Sequence, residues 1–198
     1  MKDSFPFIPF KLEDHIYHNE AFAELCKDAV RAFNGTPICE LPPPRFSGSG
    51  VYAIYCTAKT GLYERYGNKV NRMGYNVPIY VGKAVPQGWR QSRTAGIDKL
   101  PMDEQIKFWL DLIKSSIGIR KADFQMRAHC WNVADGGLTH GIHQLMQNTY
   151  RPLWNKVFRG CTTTKSVVSR WARLHSLRFH SKADKTFQDE VRKLIEAA

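Results

Sequence analysis

Two short segments that place a tyrosine close to a glycine constrain the fold of this chain more than any other feature. The first is GVY at 50–52 and the second is YVG at 80–82, and each lies in an apolar run that has the length of a β-strand. A glycine in a strand allows another backbone to approach closely. The pair therefore predicts two strands that hold both phenol hydroxyls near one point, although tyrosines on strands can also serve sheet packing alone.

The composition predicts one compact unit and a polyanionic partner. The 198 residues are 43% hydrophobic, which is enough to bury one sizeable core. Lysine and arginine number 29 against 18 acidic residues, so the net charge is +11. This excess favours nucleic acid over an acidic small molecule as the partner.

Cysteine spacing and hydropathy predict the compartment. The five cysteines form no CxxC pair, so we expect neither a zinc site nor a disulfide framework. No apolar run approaches the length of a membrane span, and residues 1–10 do not have the pattern of a signal peptide. We therefore expect a soluble protein in a reducing cytoplasm.

Hydrophobic periodicity predicts the order of the elements. Helices are expected at 19–33, 102–116 and 185–197, and another is expected to be capped by Thr139 and to end at Pro152. Strands are expected at 51–57, 77–81 and 123–133. The proline-rich stretch 41–50 predicts an extended arm. The stretch 59–76 mixes basic residues with tyrosines, which suits either a nucleic-acid surface or a solvated hairpin or loop.

Four segments resemble the restriction endonuclease branch of the GIY-YIG nucleases. They are TPICELPPP at 36–44, GVYAIY at 50–55, NVPIYVGKAVPQGWRQSR at 76–93 and YRPLWN at 150–155. Within this branch the segments are similar to the type II enzyme that recognises CCGCGG.

The resemblance implies a fold and a division of the chain. The fold is α+β, with a small three-stranded antiparallel sheet flanked by helices. An N-terminal helix and proline-rich arm would occupy 1–45, a nuclease-like core 46–160 and a basic extension 161–198, all in one compact unit.

The resemblance also implies a catalytic set. Phosphodiester hydrolysis needs a base, positive charge at the phosphoryl oxygens and usually a divalent metal held by a carboxylate. In the family a strand tyrosine is thought to act as the base. Tyr52 and Tyr80 match the family tyrosines, Lys83 matches the basic residue after the second strand, and Asn155 matches the asparagine that closes the site.

Other members of the family set are replaced in this chain. Counting back from YRPLWN, His143 occupies the place of the metal-holding glutamate. The place of the family arginine falls on Gln105 and that of a family histidine on Trp109, while a shift of register would bring in Lys107. We therefore interpret His143 as part of a degenerate catalytic set.

A histidine in place of the family's metal-holding glutamate changes which metal ion the site could bind. Histidine is a poor ligand for magnesium, which prefers hard oxygen ligands, and it suits softer ions or no metal. No aspartate or glutamate lies between 136 and 183. His140 and His143 stand three residues apart and could form a soft-metal pair, or one could be an exposed residue and the other a site-facing imidazole. Magnesium, which the family implies, is therefore not assigned here.

DNA contacts are expected from basic and aromatic residues outside this set. The candidates are Arg72, Trp89, Arg90, Arg93, Lys107, Arg170, Arg173 and Arg178. The resemblance implies double-stranded DNA as the partner, read at a short site, with a homodimer if that site is palindromic.

Three functional classes remain open from the sequence. The first is a GIY-YIG endonuclease with a remodelled site. The second is a metal-independent enzyme such as a DNA glycosylase, which would keep the DNA-docking surface. The third is a catalytically inactive DNA-binding protein, although the retained Tyr52, Tyr80, Lys83 and Asn155 favour the first two.

Overall fold

The computed structural model describes residues 11–86, 89, 97, 100–131, 136–175 and 182–197. Four antiparallel strands form one sheet in the order β1-β4-β2-β3. They are β1 Cys39–Glu40, β2 Gly50–Cys56, β3 Tyr80–Ala84 and β4 Phe124–Cys130. The helices of the described residues are α1 Glu20–Gly35, α2 Glu64–Met73, α3 Met102–Lys114, α4 Gly136–Tyr150, α5 Leu153–Val157, α6 Thr164–His175 and α7 Lys182–Ala197, with 3-10 turns at Leu12–His15 and Lys121–Asp123. The fold is α+β, as predicted.

Strand β2 is the centre of the sheet because both of its faces are covered. All seven of its residues are buried, and β4 and β3 pair with its two edges. Successive side chains point to opposite faces. Tyr52, Ile54 and Cys56 therefore enter one hydrophobic cluster, whereas Val51, Ala53 and Tyr55 enter another.

The two clusters place different helices on the two faces of the sheet. The first, which we call the larger core, contains Trp109 of α3, Trp154 of α5 and Trp171 of α6. The second, the α1/α4 core, contains Phe33 of α1 and Met146 of α4. Tyr52 and helix α4 consequently lie on opposite faces of β2.

All three predicted segments of the chain contribute to these clusters. Phe33 and Leu41 come from the segment 1–45. Trp171 and Val191 come from the segment 161–198 and are buried in the larger core beside Trp154. The basic extension is therefore packed into the protein through an apolar face.

Three details of the sequence-based prediction are corrected. The sheet has a fourth strand, because Cys39 and Glu40 pair with Met126 and Gln125 of β4. Within 59–76 the chain forms helix α2, Glu64–Met73, which buries Tyr66, Gly67 and Val70 on one side, so most of this stretch is helical and loops remain at its two ends. Periodicity was obscured there because the apolar face consists largely of a tyrosine and a glycine.

The third correction concerns the start of α4. Thr139 does not cap this helix, which already includes Gly136. The Thr139 side chain is buried within the first turn, and its hydroxyl accepts a hydrogen bond from Trp131 Nε1 at 2.9 Å. A threonine at a helix start is ambiguous from sequence, because the same hydroxyl can cap the helix or bond a tertiary partner.

Among the described residues, no helix is both long enough and apolar enough to cross a bilayer.

Candidate functional site at the sheet edge

A cavity of about 290 Å³ lies at strand β3, which forms one edge of the sheet. Tyr80 and Lys83 of β3, Trp109 of α3, His143 and Gln147 of α4 and Asn155 of α5 form much of its wall. Four of the five predicted catalytic residues, Tyr80, Lys83, His143 and Asn155, therefore line one cavity.

Asn155 holds the edge of β3 in the manner of a further strand. Its Oδ1 accepts from Val81 N at 2.8 Å, and its Nδ2 donates to Val81 O at 2.8 Å. Both outward backbone groups of Val81 are thereby satisfied by one side-chain amide. Trp154 N donates to Ile79 O at 2.8 Å, which fixes the start of α5 to the same edge.

His143 is a buried, neutral imidazole. Its side chain is 8% exposed and lies against strand β3. Burial is the largest cause that lowers the pKa of His143 to about 3, and the nearby charge of Lys83 acts in the same direction. In one tautomer Nε2 donates to Val81 O, and in the other it accepts from Gln147 Nε2, each at 3.3 Å. The ring is therefore uncharged at neutral pH.

Tyr52 does not line the cavity, which corrects the prediction that it shares a pocket with His143. It is completely buried, and its hydroxyl donates to Gln105 Oε1 at 3.1 Å. Its ring covers Gly82, where an added Cβ would lie 2.3 Å from Tyr52 Cζ. The ring centroids of Tyr52 and Tyr80 are 5.9 Å apart. The two tyrosines are neighbours, as expected, but only Tyr80 forms part of the cavity wall.

Gln105 takes a structural place on helix α3. Its side chain is completely buried, and its Nε2 donates to Lys83 O at 2.9 Å and to Leu100 O at 2.8 Å. Together with the bond from Tyr52, these contacts join α3, β2 and the end of β3. Lys107 is exposed and lies in a separate groove with Asp103, Glu104 and Asp111, so helix α3 does not present it to the cavity.

The donor set of the cavity does not fit magnesium. Its described wall contains a phenol, an aliphatic hydroxyl, two amides, an imidazole, an indole, a thiol and two basic side chains, but no carboxylate. In the part of the chain that the structure describes, no group of three or more His, Cys, Asp or Glu side chains is placed to hold a metal ion. His140 is exposed, whereas His143 is buried. These residues instead suit an anionic oxygen ligand, because the ionised groups at the cavity are cations.

The remaining predicted DNA contacts are dispersed. Arg72 lies on α2 beside a groove of about 410 Å³ that Arg65 and Lys69 also line. Trp89 is 38% exposed, and its ring packs on Gly136 at the start of α4.

Two predicted contacts on α6 have structural partners. Arg170 Nη1 donates to Val157 O at 3.0 Å and to Arg159 O at 2.8 Å. The guanidinium carbon of Arg173 lies 4.9 Å from the centre of the Phe187 ring. Arg90, Arg93 and Arg178 fall outside the described residues.

Several residues of the cavity wall were not singled out by sequence reasoning, and two of them, Gln147 and Arg159, carry an amide and a guanidinium that could bind a ligand. Gln147 follows His143 by one helical turn, so helical spacing could have indicated it. Arg159 follows the YRPLWN segment, and no periodic signal identifies it. Its place depends on how the chain turns after α5.

Comparison with known families identifies the family to which the chain belongs. The profile of the Eco29kI GIY-YIG domain matches residues 44–197. The chain belongs to the Eco29kI GIY-YIG domain family. This is a restriction endonuclease family, which implies DNA as the partner of the domain. No curated protein matches the sequence.

Proposed function

We propose that this protein is a site-specific member of its family that processes duplex DNA by seating a backbone phosphate in the cavity at β3, without magnesium. The observation that carries the proposal is the composition of the cavity wall. Tyr80, Lys83, His143 and Asn155 meet there in the absence of any described carboxylate. A net charge of +11 adds long-range attraction to a polyanion.

The roles of the residues follow from their surroundings. Lys83 brings a positive charge to the cavity, and the phenol of Tyr80 lies in the same wall, where it can hydrogen-bond a phosphate oxygen. His143 is neutral, so it adds no charge and can exchange a hydrogen bond with the ligand or with Gln147. Asn155 positions the strand that carries Tyr80 and Lys83.

A second candidate, a DNA-binding protein without catalytic activity, is favoured by the state of Tyr52. Its hydroxyl proton is directed at Gln105, and its ring is completely buried, so it is poorly placed to remove a proton from water. Any chemistry at the cavity would then fall to groups of its described wall such as Tyr80 and His143. In either case we propose double-stranded DNA as the partner, with paired subunits on a palindromic site.

The decisive experiment combines binding with the analysis of DNA products. Duplex DNA is titrated at several salt concentrations in EDTA, and supercoiled plasmid is incubated with magnesium or with EDTA, with and without subsequent alkali. We expect salt-dependent binding in EDTA and no cutting that requires magnesium. Breaks in EDTA would indicate metal-independent strand cleavage, breaks that need alkali would indicate base excision, and binding without breaks would support the second candidate. Robust magnesium-dependent cutting, or binding that salt does not weaken, would contradict the proposal.

A further inference from the structure

We infer that Arg159 brings to the cavity a guanidinium, which helix α3 does not offer, and that it holds the DNA phosphate together with Lys83. This inference rests on the proposed function, because it names a further ligand-binding residue of the same cavity. Arg159 lies in the turn after α5 and lines the cavity, as does Lys83 on β3. The two cations therefore approach the cavity from different elements.

Helix α3 offers no cation to this cavity. Gln105 faces the strands, but it is completely buried and is bonded to Tyr52 O–H and to two backbone carbonyls. Lys107 lies in the groove that also contains Asp103, Glu104 and Asp111. A guanidinium that binds a phosphate in this cavity must therefore come from another element of the fold.

Arg159 has the properties that such a group needs. It is exposed, and its guanidinium makes no ion pair and no side-chain hydrogen bond with the described residues. Other arginines of the chain pair with aspartates, namely Arg31, Arg45, Arg120 and Arg192. Because the described wall of the cavity holds no carboxylate, Arg159 remains available to an external anion.

The turn that carries Arg159 is held in place on both sides. Arg170 of α6 donates from Nη1 to the carbonyls of Val157 and Arg159, which fixes the backbone of the turn. Before the turn, Asn155 is bonded to both backbone groups of Val81 in β3. Arg170 thus acts as a positioning residue for Arg159, and Asn155 ties the same segment to the strand that bears Lys83.

The two side chains offer complementary chemistry to a phosphodiester. The planar guanidinium of Arg159 can donate two parallel hydrogen bonds to phosphate oxygens, whereas the ammonium of Lys83 acts as a compact charge. Together they neutralise a phosphate without a metal ion.

The test compares charge-removing variants by titration of a fluorescent duplex at several salt concentrations. Arg159→Gln is expected to weaken binding about tenfold or more, since bonds to charged groups contribute strongly. It should also reduce the slope of log affinity against log salt by about one. Arg159→Lys should keep the slope but recover only part of the affinity, because it cannot bind in a bidentate manner.

The matched control is Lys156→Gln, which removes an equal charge from an exposed residue of α5 that is absent from the cavity wall. Thermal unfolding confirms that each variant is folded. If Lys83→Gln weakens binding but Arg159→Gln behaves like Lys156→Gln, the role of Arg159 is overturned while the proposed function stands. If the wild type binds without salt dependence, or Lys83→Gln has no effect, both are overturned.

Discussion

At the scale of single residues, the two tyrosines of the sequence signature have different environments. Tyr80 contributes to the cavity wall, whereas Tyr52 is completely buried and does not line the cavity. The reason is local: Gly82 leaves room for the Tyr52 ring to lie on the backbone of β3, and Gln105 then receives the hydroxyl proton. A tyrosine hydroxyl can serve as a general base, but here the hydroxyl of Tyr52 is a hydrogen-bond donor inside the core.

We predict that Tyr52→Phe lowers stability more than DNA affinity. The change leaves Gln105 Oε1 buried without its donor, at a cost of about 1–3 kcal/mol in the free energy of unfolding. Affinity should change little, because Tyr52 does not line the cavity. Urea unfolding and DNA titration measure the two effects, and Tyr17→Phe is the control, since Tyr17 is 85% exposed. Unchanged stability together with a large loss of affinity would contradict this account.

Elements of the fold assemble the cavity around a strand edge. Strand β3 pairs with β2 on one side, and Asn155 takes up the exposed backbone groups of Val81 on the other. Edge strands carry unpaired backbone groups that proteins must satisfy or protect. Here a side chain of α5 performs that task and also places the turn with Arg159 at the same edge. Structural support of β3 and assembly of the cavity are therefore coupled.

We predict that Asn155→Ala destabilises the protein by about 1–3 kcal/mol, because it removes the partner of Val81 N–H and the amide donor to Val81 O, which keeps a longer contact, at 3.3 Å, with His143 Nε2. Asn155→Asp should also destabilise, since a carboxylate can accept from Val81 N–H but is repelled by Val81 O. Amide exchange at Val81 and urea unfolding provide the measurements. Asn148→Ala, at an exposed position of α4, is the control. Slow Val81 exchange in a fully stable Asn155→Ala variant would argue against the edge role.

For the molecule as a whole, a buried polar chain links segments that are distant in sequence. Trp154 Nε1 donates to Tyr63 Oη at 3.1 Å, and Tyr63 Oη lies 2.8 Å from His175 Nε2. His175 Nδ1 donates to Trp171 O at 3.1 Å, so Nε2 is the acceptor for the tyrosine hydroxyl. The basic extension is thus held to the core by a network that requires a neutral imidazole.

We predict that stability falls as the pH is lowered from about 6.5 toward 4. Burial lowers the pKa of His175 to about 4, and the hydrogen bond to Trp171 only partly opposes this. Between that value and the unfolded pKa of about 6.5, the unfolded chain binds more protons. The contribution of His175, roughly 3 kcal/mol, is therefore complete above pH 6.5 and is lost as the pH falls toward 4. His143, with a pKa of about 3, extends the loss to lower pH.

The measurement is the free energy of unfolding between pH 4 and pH 7.5. In His175→Gln the dependence on pH should become shallower, because one of the two histidines with a strongly lowered pKa is removed. The control is His18→Gln, which removes an exposed histidine. The free energy of unfolding of this variant should depend on pH as it does in the wild type. Equal slopes in all three proteins would show that His175 does not titrate in this range.

The helices and strands were largely predictable because their signals are local. Strand β2 is a continuous apolar run, as a strand covered on both faces requires, and α3 carries an apolar face at helical spacing. Helix α2 was missed because its buried side includes Tyr66 and Gly67, which are weak helix signals. The two-residue strand β1 was missed because its pairing with β4 carries no periodic pattern of its own.

The sequence by itself predicted part of the set of side chains that line the cavity. Tyr80, Lys83, His143 and Asn155 were predicted from motif positions, and the same resemblance predicts that His143 stands where the family has a metal-holding glutamate. Only the tertiary structure decided which groups face the cavity. Burial, the alternation of side chains across the sheet and the turn after α5 are long-range properties. Because of them, Tyr52 lies in the core, Gln105 accepts its hydrogen bond, and Arg159 lines the same cavity as Lys83. Packing against distant elements, rather than local sequence, determines the direction of these side chains.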